Sequence, residues 1–297
     1  MSFPAQTDLP PHPGPLRILS LGAGVQSTTM ALMAAHGLIG PMPDAAIFAD
    51  TGAEPQAVYD HLRWMMSPNV LPFPVHIVSA GNIIEGIEAM VAGRRWVSIP
   101  AFVADKTGRG GPIPRQCTKE YKIVPIHRKL REMVGVAPRQ SMRSHLKLKR
   151  KEPLPVLVEQ WIGISADEAH RMKPSGHDWV ENRWPLLELR MRRSDCLTWL
   201  ERNAYPAPPK SSCTFCPFHD TAMWRDLKDN HPAAWEQALA VDALIAPGAP
   251  ATETRSGTKP MYLHRSLKRL ADVDLSTPEE NGQGWMFGEE CEGVCGV

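Results

Sequence analysis

Apolar runs of strand length alternate with stretches of helical apolar spacing between residues 17 and 91, and a short turn joins each run to the helix after it. Arg17-Ile-Leu-Ser-Leu21 reads as a buried strand, Gly22-Ala-Gly-Val-Gln-Ser27 as a tight turn, and Ser27-Thr-Thr-Met-Ala-Leu-Met-Ala-Ala-His36 as a helix. Residues 44–49 give a second strand, closed by Asp50-Thr-Gly52, after which Pro55 opens a helix with Val58, Leu62 and Met65 on one face. A third strand at 75–78 precedes a helix at 82–91. This alternation predicts an α/β fold: a mostly parallel sheet with helices on both faces.

Beyond Gly93 the pattern loosens. Lys106-Thr-Gly-Arg-Gly-Gly-Pro112 reads as a flexible polar loop of the kind that covers a bound substrate. Helical spacing returns at 118–134 and strand signal at 156–164 and near 185–188. A helix is expected at 194–202 with Ser194 as its cap, and two more at 220–229 and 232–245. The expected organisation is an extended Pro-rich N-terminus (1–15), an α/β core (16–190), a Cys-bearing helical C-terminal region (191–246), and a linker with a mobile Cys-containing tail (247–297).

The chain has 297 residues, 43% hydrophobic and 22% charged, with a formal net charge of +1. That is enough chain to bury a full core, and the balance gives no global bias toward nucleic acid or membranes. No apolar stretch approaches the roughly 18 residues of a membrane span. The first 15 residues, with five prolines and no apolar run, cannot act as a secretory signal, so the expected location is the cytoplasm. Six cysteines in such a chain read as metal ligands or reactive thiols rather than as a disulfide framework.

Three features carry chemistry. The small-residue turn at 22–27, running from a strand into a helix, leaves backbone N–H groups free for phosphate oxygens, although a tight connection that binds nothing looks the same. It is not a Walker A loop, since no Gly-Lys-Ser/Thr follows. Cys213-Thr-Phe-Cys216 spaces two thiolates to chelate one metal ion or cluster. A basic run at 143–151, bounded by Arg143 and Lys151, would neutralise nucleic-acid phosphates, or would simply be a solvated loop.

Gly22-Ala-Gly-Val-Gln-Ser27 with Asp50-Thr-Gly52 resembles the PP-loop of the adenine-nucleotide α-hydrolase superfamily, whose typical form is Ser-Gly-Gly-x-Asp-Ser. Phe48-Ala-Asp-Thr-Gly-Ala-Glu54, Arg115-Gln-Cys-Thr-Lys-Glu-Tyr-Lys-Ile-Val-Pro125 and Gly163-Ile-Ser-Ala-Asp-Glu168 with Arg171 resemble elements of the phosphoadenylyl-sulfate (PAPS) reductase family. The chain departs from the ATP pyrophosphatase pattern at Gln26, where those enzymes place Asp, which argues against ATP cleavage. The resemblance implies an adenine nucleotide (PAPS, adenylyl sulfate or ATP) bound at the C-terminal ends of the strands. Ser20, Gly22, Gly24, Gln26 and Ser27 would face its phosphates, and Asp50, Thr51 and Gly52 would border the ribose or phosphates. Gly163 belongs to the same set, and Lys122, Arg171 and Arg265 would meet the remaining negative charge.

The resemblance also bears on the cysteines. Cluster-containing relatives hold a [4Fe-4S] centre on a tandem Cys pair and a later Cys-x-x-Cys. Here Thr118 follows Cys117, so the expected ligands are Cys117, Cys196, Cys213 and Cys216; a Zn site on these, or with His219 in place of one, is the alternative. The tail Gly288-Glu-Glu-Cys-Glu-Gly-Val-Cys-Gly-Val297 is similar to the Glu-Cys-Gly tail that carries the nucleophile of sulfonucleotide reductases. It marks Cys291 as nucleophile and Cys295 as resolving thiol, with a thioredoxin-like thiol donor as the other candidate reductant. The leading expectation is a sulfonucleotide reductase, an oxidoreductase of sulfur metabolism. An ATP-dependent enzyme that thiolates nucleic acid, and a non-catalytic nucleotide-binding module, are the alternatives.

Overall fold

The computed structural model describes residues 14–95, 99–105, 108–254, 257–276 and 280. Its centre is a five-stranded sheet built from β1 (Leu16–Ser20), β2 (Ala45–Asp50), β3 (Val75–Ser79), β6 (Val158–Ile162) and β7 (Val180–Arg183), in the order β3-β2-β1-β6-β7. Every neighbouring pair is parallel. The connections use α1 (Val25–Ala35), α2 (Gln56–Met65) and α3 (Ile83–Val91) on the β2 side. A hairpin of β4 (Phe102–Ala104) and β5 (Gly110–Pro112), a π-helical turn at Thr118–Ile123, α4 (Val124–Met133) and α5 (Met142–His145) then lead to β6.

Side-chain alternation along the strands divides the core. Leu19, Ala46, Phe48 and Trp161 face one way and pack with α1, α2 and the later helix α7 (Arg193–Arg202). Ile18, Ala45, Ile47, Val158 and Val180 face the other way and pack with Leu130 of α4 and Met142 of α5. Burial on both faces explains why the central strands read as unbroken apolar runs rather than as alternating ones. A third cluster joins α3 to α8 (Thr221–Asn230) and α9 (Pro232–Ile245), the Cys-bearing helical C-terminal part.

Four local expectations change. The strand signal near 185–188 belongs to a short helix, α6 (Pro185–Glu188), because Pro185 sits at its first turn with no N–H to lose; the strand is β7 just before it, an edge strand whose Glu181, Asn182 and Arg183 hide the apolar pattern. Ser194 lies inside α7 rather than capping it. The start of that helix is held instead by Asp195, whose carboxylate accepts the Arg192 N–H at 2.7 Å, and by Asp167, which accepts the Arg193 N–H at 3.0 Å. Within the polar stretch at 106–112, Gly110–Pro112 forms β5 of the β4–β5 hairpin, and Phe102 bridges to Tyr262. Residues 261–275, grouped by the sequence with linker and tail, return to the third cluster through Met261, Leu263, Leu270 and Leu275.

Candidate nucleotide site

Strand order reverses between β1 and β6: the chain runs outward from β1 to β2 and β3, then returns to place β6 on the other side. A crevice opens at such a point beyond the carboxyl ends of the strands. Here it is a cavity of about 700 Å³, lined by Ser20 and the loop after β1, Phe48 and Ala49 of β2, Ile162 at the end of β6 with Gly163 and Ile164 after it, and Asn182 and Trp184 at the end of β7.

The loop enters α1 without a side-chain cap. Gly24 is the N-cap residue, no side chain bonds the first turn, and no acidic residue lies in it. The first N–H groups of a helix have no intrahelical acceptor, so this end of α1 presents backbone donors and the positive end of the helix dipole to the cavity. The loop is braced from within: Ser27 Oγ accepts the Gly22 N–H at 3.2 Å and donates to the Gly24 carbonyl at 3.3 Å. Ala23 takes a left-handed φ of 55°, an uncommon conformation for a residue with a Cβ. Gly163 lets the end of β6 approach this loop. A Cβ there would lie 3.1 Å from the Ser27 nitrogen and 3.2 Å from its Cα.

Of the residues proposed for the nucleotide, Ser20, Gly22, Gly24, Gln26, Ser27, Lys122, Gly163 and Arg171 line this cavity. Ser20 Oγ also accepts the Gln160 side-chain amide at 2.7 Å. Gln26 Nε2 donates to Ser165 Oγ at 3.4 Å and to Glu168 Oε2 at 3.3 Å, and Arg171 is paired with the other oxygen of Glu168 at 2.6 Å. Lys122 reaches the cavity from the π-helical turn and pairs with Glu54 at 3.4 Å. Lys173, Arg193 and Lys210 add cationic side chains to the wall, and Asp167 a carboxylate.

Asp50, Thr51, Gly52 and Arg265 do not line the cavity. Asp50 Oδ1 accepts the Gly52 N–H and the Tyr59 hydroxyl, each at 2.8 Å, and so shapes the turn after β2. Gly52, at φ +73°, packs against Asn82. Thr51 is buried with its hydroxyl 3.4 Å from Cys213 Sγ. Arg265 is exposed on the returning C-terminal stretch, beside the β4–β5 hairpin rather than the loop.

The four thiols are not brought to one point. Cys196 is 0% exposed in the cluster beneath α1, hydrogen-bonded to Thr29, and burial pushes its thiol up to about 12. Cys117 and Cys213 pack instead against the third cluster, and the Cys213 segment is fixed to the turn after β2 by the Thr214 N–H, which donates to the Ala53 carbonyl at 2.9 Å. His219 bonds Ser212 Oγ through Nε2 at 3.0 Å and packs on Trp224; burial lowers its pKa to about 3. Among the described residues no three His, Cys, Asp or Glu side chains converge where a metal ion could sit, and Cys196 lies in a different cluster from Cys117 and Cys213. Cys291 and Cys295 lie outside the described residues.

Sequence reasoning gave no role to several residues that shape the site. Glu54 is the foremost: its side chain is 1% exposed and holds both Lys122 and the Ser211 hydroxyl, the latter at 3.3 Å. Its signal was its place directly after Asp50-Thr-Gly-Ala. His127 lines the cavity and is held neutral, its pKa lowered to about 4 by burial and by the neighbouring His177. Trp184 and Asn182 escaped notice because β7 did. Among the described residues no helix is long and apolar enough to cross a membrane.

No family model and no curated protein matches this chain. Among solved structures it is similar to the crystal structure of phosphoadenylyl-sulfate (PAPS) reductase from Candida auris in its phosphate complex, at 12% sequence identity and a TM-score of 0.41, over 66% of this chain and 76% of that one.

Proposed function

We propose that this chain is a sulfur-transfer enzyme that binds an adenine nucleotide in the cavity above β1 and β6. One observation carries the reading: the uncapped start of α1 opens into a cavity whose wall also holds Lys122, Arg171 and Ser211, two residues before Cys213. Backbone donors, cations and the approach to a thiol segment therefore share one space. The volume of about 700 Å³ lies within the range of about 300–1,000 Å³ usual for small-molecule sites.

With a sulfonucleotide as substrate, the phosphates lie on the Gly22–Ser27 loop and the sulfate is presented to a thiolate. Cys291, matched to the nucleophile through its Glu-Cys-Gly-like tail, attacks the sulfur; the S–O bond to the nucleotide phosphate breaks, the nucleotide leaves with the electron pair, and an S-sulfocysteine forms. A second thiolate, from Cys295 or an external dithiol, then attacks the cysteine sulfur, and sulfite departs as a disulfide forms. The dithiol is the reductant. Lys122 and Arg171 stabilise the negative charge that grows on the leaving phosphate. Cys213 and Cys216 stand beside the turn after β2 and are assigned no step.

The test is sulfite release from adenylyl sulfate or PAPS with a dithiol. Wild-type protein should release sulfite and Cys291→Ser should not. No sulfite from either nucleotide contradicts the reductase form of the proposal. A second reading, ATP-dependent sulfur transfer to nucleic acid, is favoured by the basic turn at 143–151, whose Arg143 lines a second cavity that shares Gly176 with this one, and release of AMP and pyrophosphate only when nucleic acid is added would select it.

A further inference from the structure

Gly176 is a wall residue of the nucleotide cavity and of a second cavity of about 390 Å³, lined among others by Arg131, Arg143, His177 and Asp178. The two adjoin through a ring pair: His127 stands in the first and His177 in the second, with centroids 4.3 Å apart. At the threshold there is room. A Cβ built on Gly176 would meet nothing within 4 Å.

Next to the second cavity runs the basic turn. Arg143, Lys147, Lys149, Arg150 and Lys151 fall within nine residues that contain no acid, in a chain of net charge +1. The turn is stapled rather than loose. The Arg143 guanidinium donates to the carbonyls of Lys149 and Glu152, the Glu152 carboxylate accepts the Lys149 N–H at 3.3 Å, and Met142 and Leu146 anchor the segment in the core under α4. Arg143 is consumed in this bracing. Lys147, Lys149, Arg150 and Lys151 stand exposed, and none pairs with a described carboxylate. Four exposed cations with one neighbouring carboxylate, that of Glu152, repel one another, and a polyanion relieves that repulsion.

We infer that this surface binds a single-stranded nucleic acid, with phosphates along the 147–151 turn and one nucleotide turning in past Gly176. The two cavities share Gly176 as a wall residue, and a base passing it into the first must leave its stack, which favours a single strand over a duplex. His127 and Trp184, both lining the first cavity, are the aromatic groups a turned-in base would meet. The inference rests on the adenine-nucleotide reading only for the place the turned-in nucleotide reaches; the basic surface is read by a separate assay.

The experiment is fluorescence anisotropy of labelled RNA and DNA 12-mers, single-stranded and duplex, titrated with full-length protein at several salt concentrations, with polyglutamate as competitor and ATP binding measured in parallel. Single strands should bind more tightly than duplex, with affinity falling as salt rises. The RNA and DNA arms identify the source of the strand. The triple variant Lys149→Ala, Arg150→Ala, Lys151→Ala should flatten the slope of log affinity against log salt by about 2, from three lost contacts at about 0.7 each, while ATP binding is unchanged. Gly176→Val should remove the preference for single strands by narrowing the threshold. Equal affinity for duplex, an unchanged salt slope in the triple variant, or displacement of the strand by polyglutamate at equal charge would overturn the inference. If oligonucleotides bind as described but ATP does not, the nucleotide reading of the first cavity fails and the docking surface stands.

Discussion

Glu54 holds Lys122 by an ion pair of 3.4 Å, and the carboxylate that does so is 1% exposed while the ammonium is 20% exposed. The same carboxylate takes the hydroxyl of Ser211. A single buried acid thus fixes one cation of the proposed nucleotide cavity and the segment leading to Cys213. Removing one partner of a buried pair leaves the other charge uncompensated, which typically costs about 3–5 kcal/mol. Glu54→Ala should therefore lower the unfolding free energy by about 3 kcal/mol and weaken nucleotide binding, as urea denaturation and calorimetry would record. A variant as stable as wild type would show that the pair is not the brace described.

Gly163 tests the closeness of β6 to the loop. Its added Cβ would sit 3.1 Å from the backbone nitrogen of Ser27, and backbone cannot yield as a flexible side chain can. Gly163→Ala should weaken adenine-nucleotide affinity by about tenfold, in line with overpacking costs of about 1–3 kcal/mol. Unchanged affinity by calorimetry would place the phosphates elsewhere.

Cys196 should behave as a core residue. With its thiol pushed up to about 12 by burial, it should resist alkylation at pH 8 in the native protein and react only after unfolding. Cys196→Ala should lower stability through the lost side chain yet leave nucleotide binding unchanged. Rapid native-state labelling of Cys196, read by mass spectrometry, would contradict its placement under α1.

Two buried histidines set an acid limit. Burial lowers His219 to about 3 and His61 to about 4 from an ordinary value of 6.5. The unfolded chain takes up these protons first, so their contribution to stability is present above pH 6.5, declines as pH falls, and is lost through the folded values. Urea midpoints should drop between pH 6.5 and 4, less steeply in His219→Gln. A flat profile across that window would mean that the rings are accessible.

Much of the fold was legible because β1 and β2 are apolar and largely buried, α1 is apolar and buried nearly all round, and α2 and α3 carry one apolar stripe each. The loop at 22–27 was legible for the same reason: small residues between a strand and a helix leave little conformational choice. What the sequence concealed depends on contacts far apart in the chain. β7 is an edge strand rich in polar residues, so periodicity passed over it, and Pro185 drew attention to the wrong segment. Cys196 shares its residue type with Cys117 and Cys213, yet the packing of α7 on α1 sends it to a different cluster. Glu54 looked like one more acid after a turn; only the meeting of the π-helical turn with the Ser211 segment gives it two partners.

The central claim is that nucleotide phosphates rest on the N-terminal backbone of α1. It is tested most directly by following the backbone amide resonances of Gly22, Gly24, Gln26 and Ser27 in isotope-labelled protein as adenine nucleotide is added. Saturable shifts concentrated on these amides and on Gly163, reduced in Gly163→Ala, are the predicted result. Nucleotide that binds while these amides stay unmoved, or that shifts only residues outside the cavity, would contradict it.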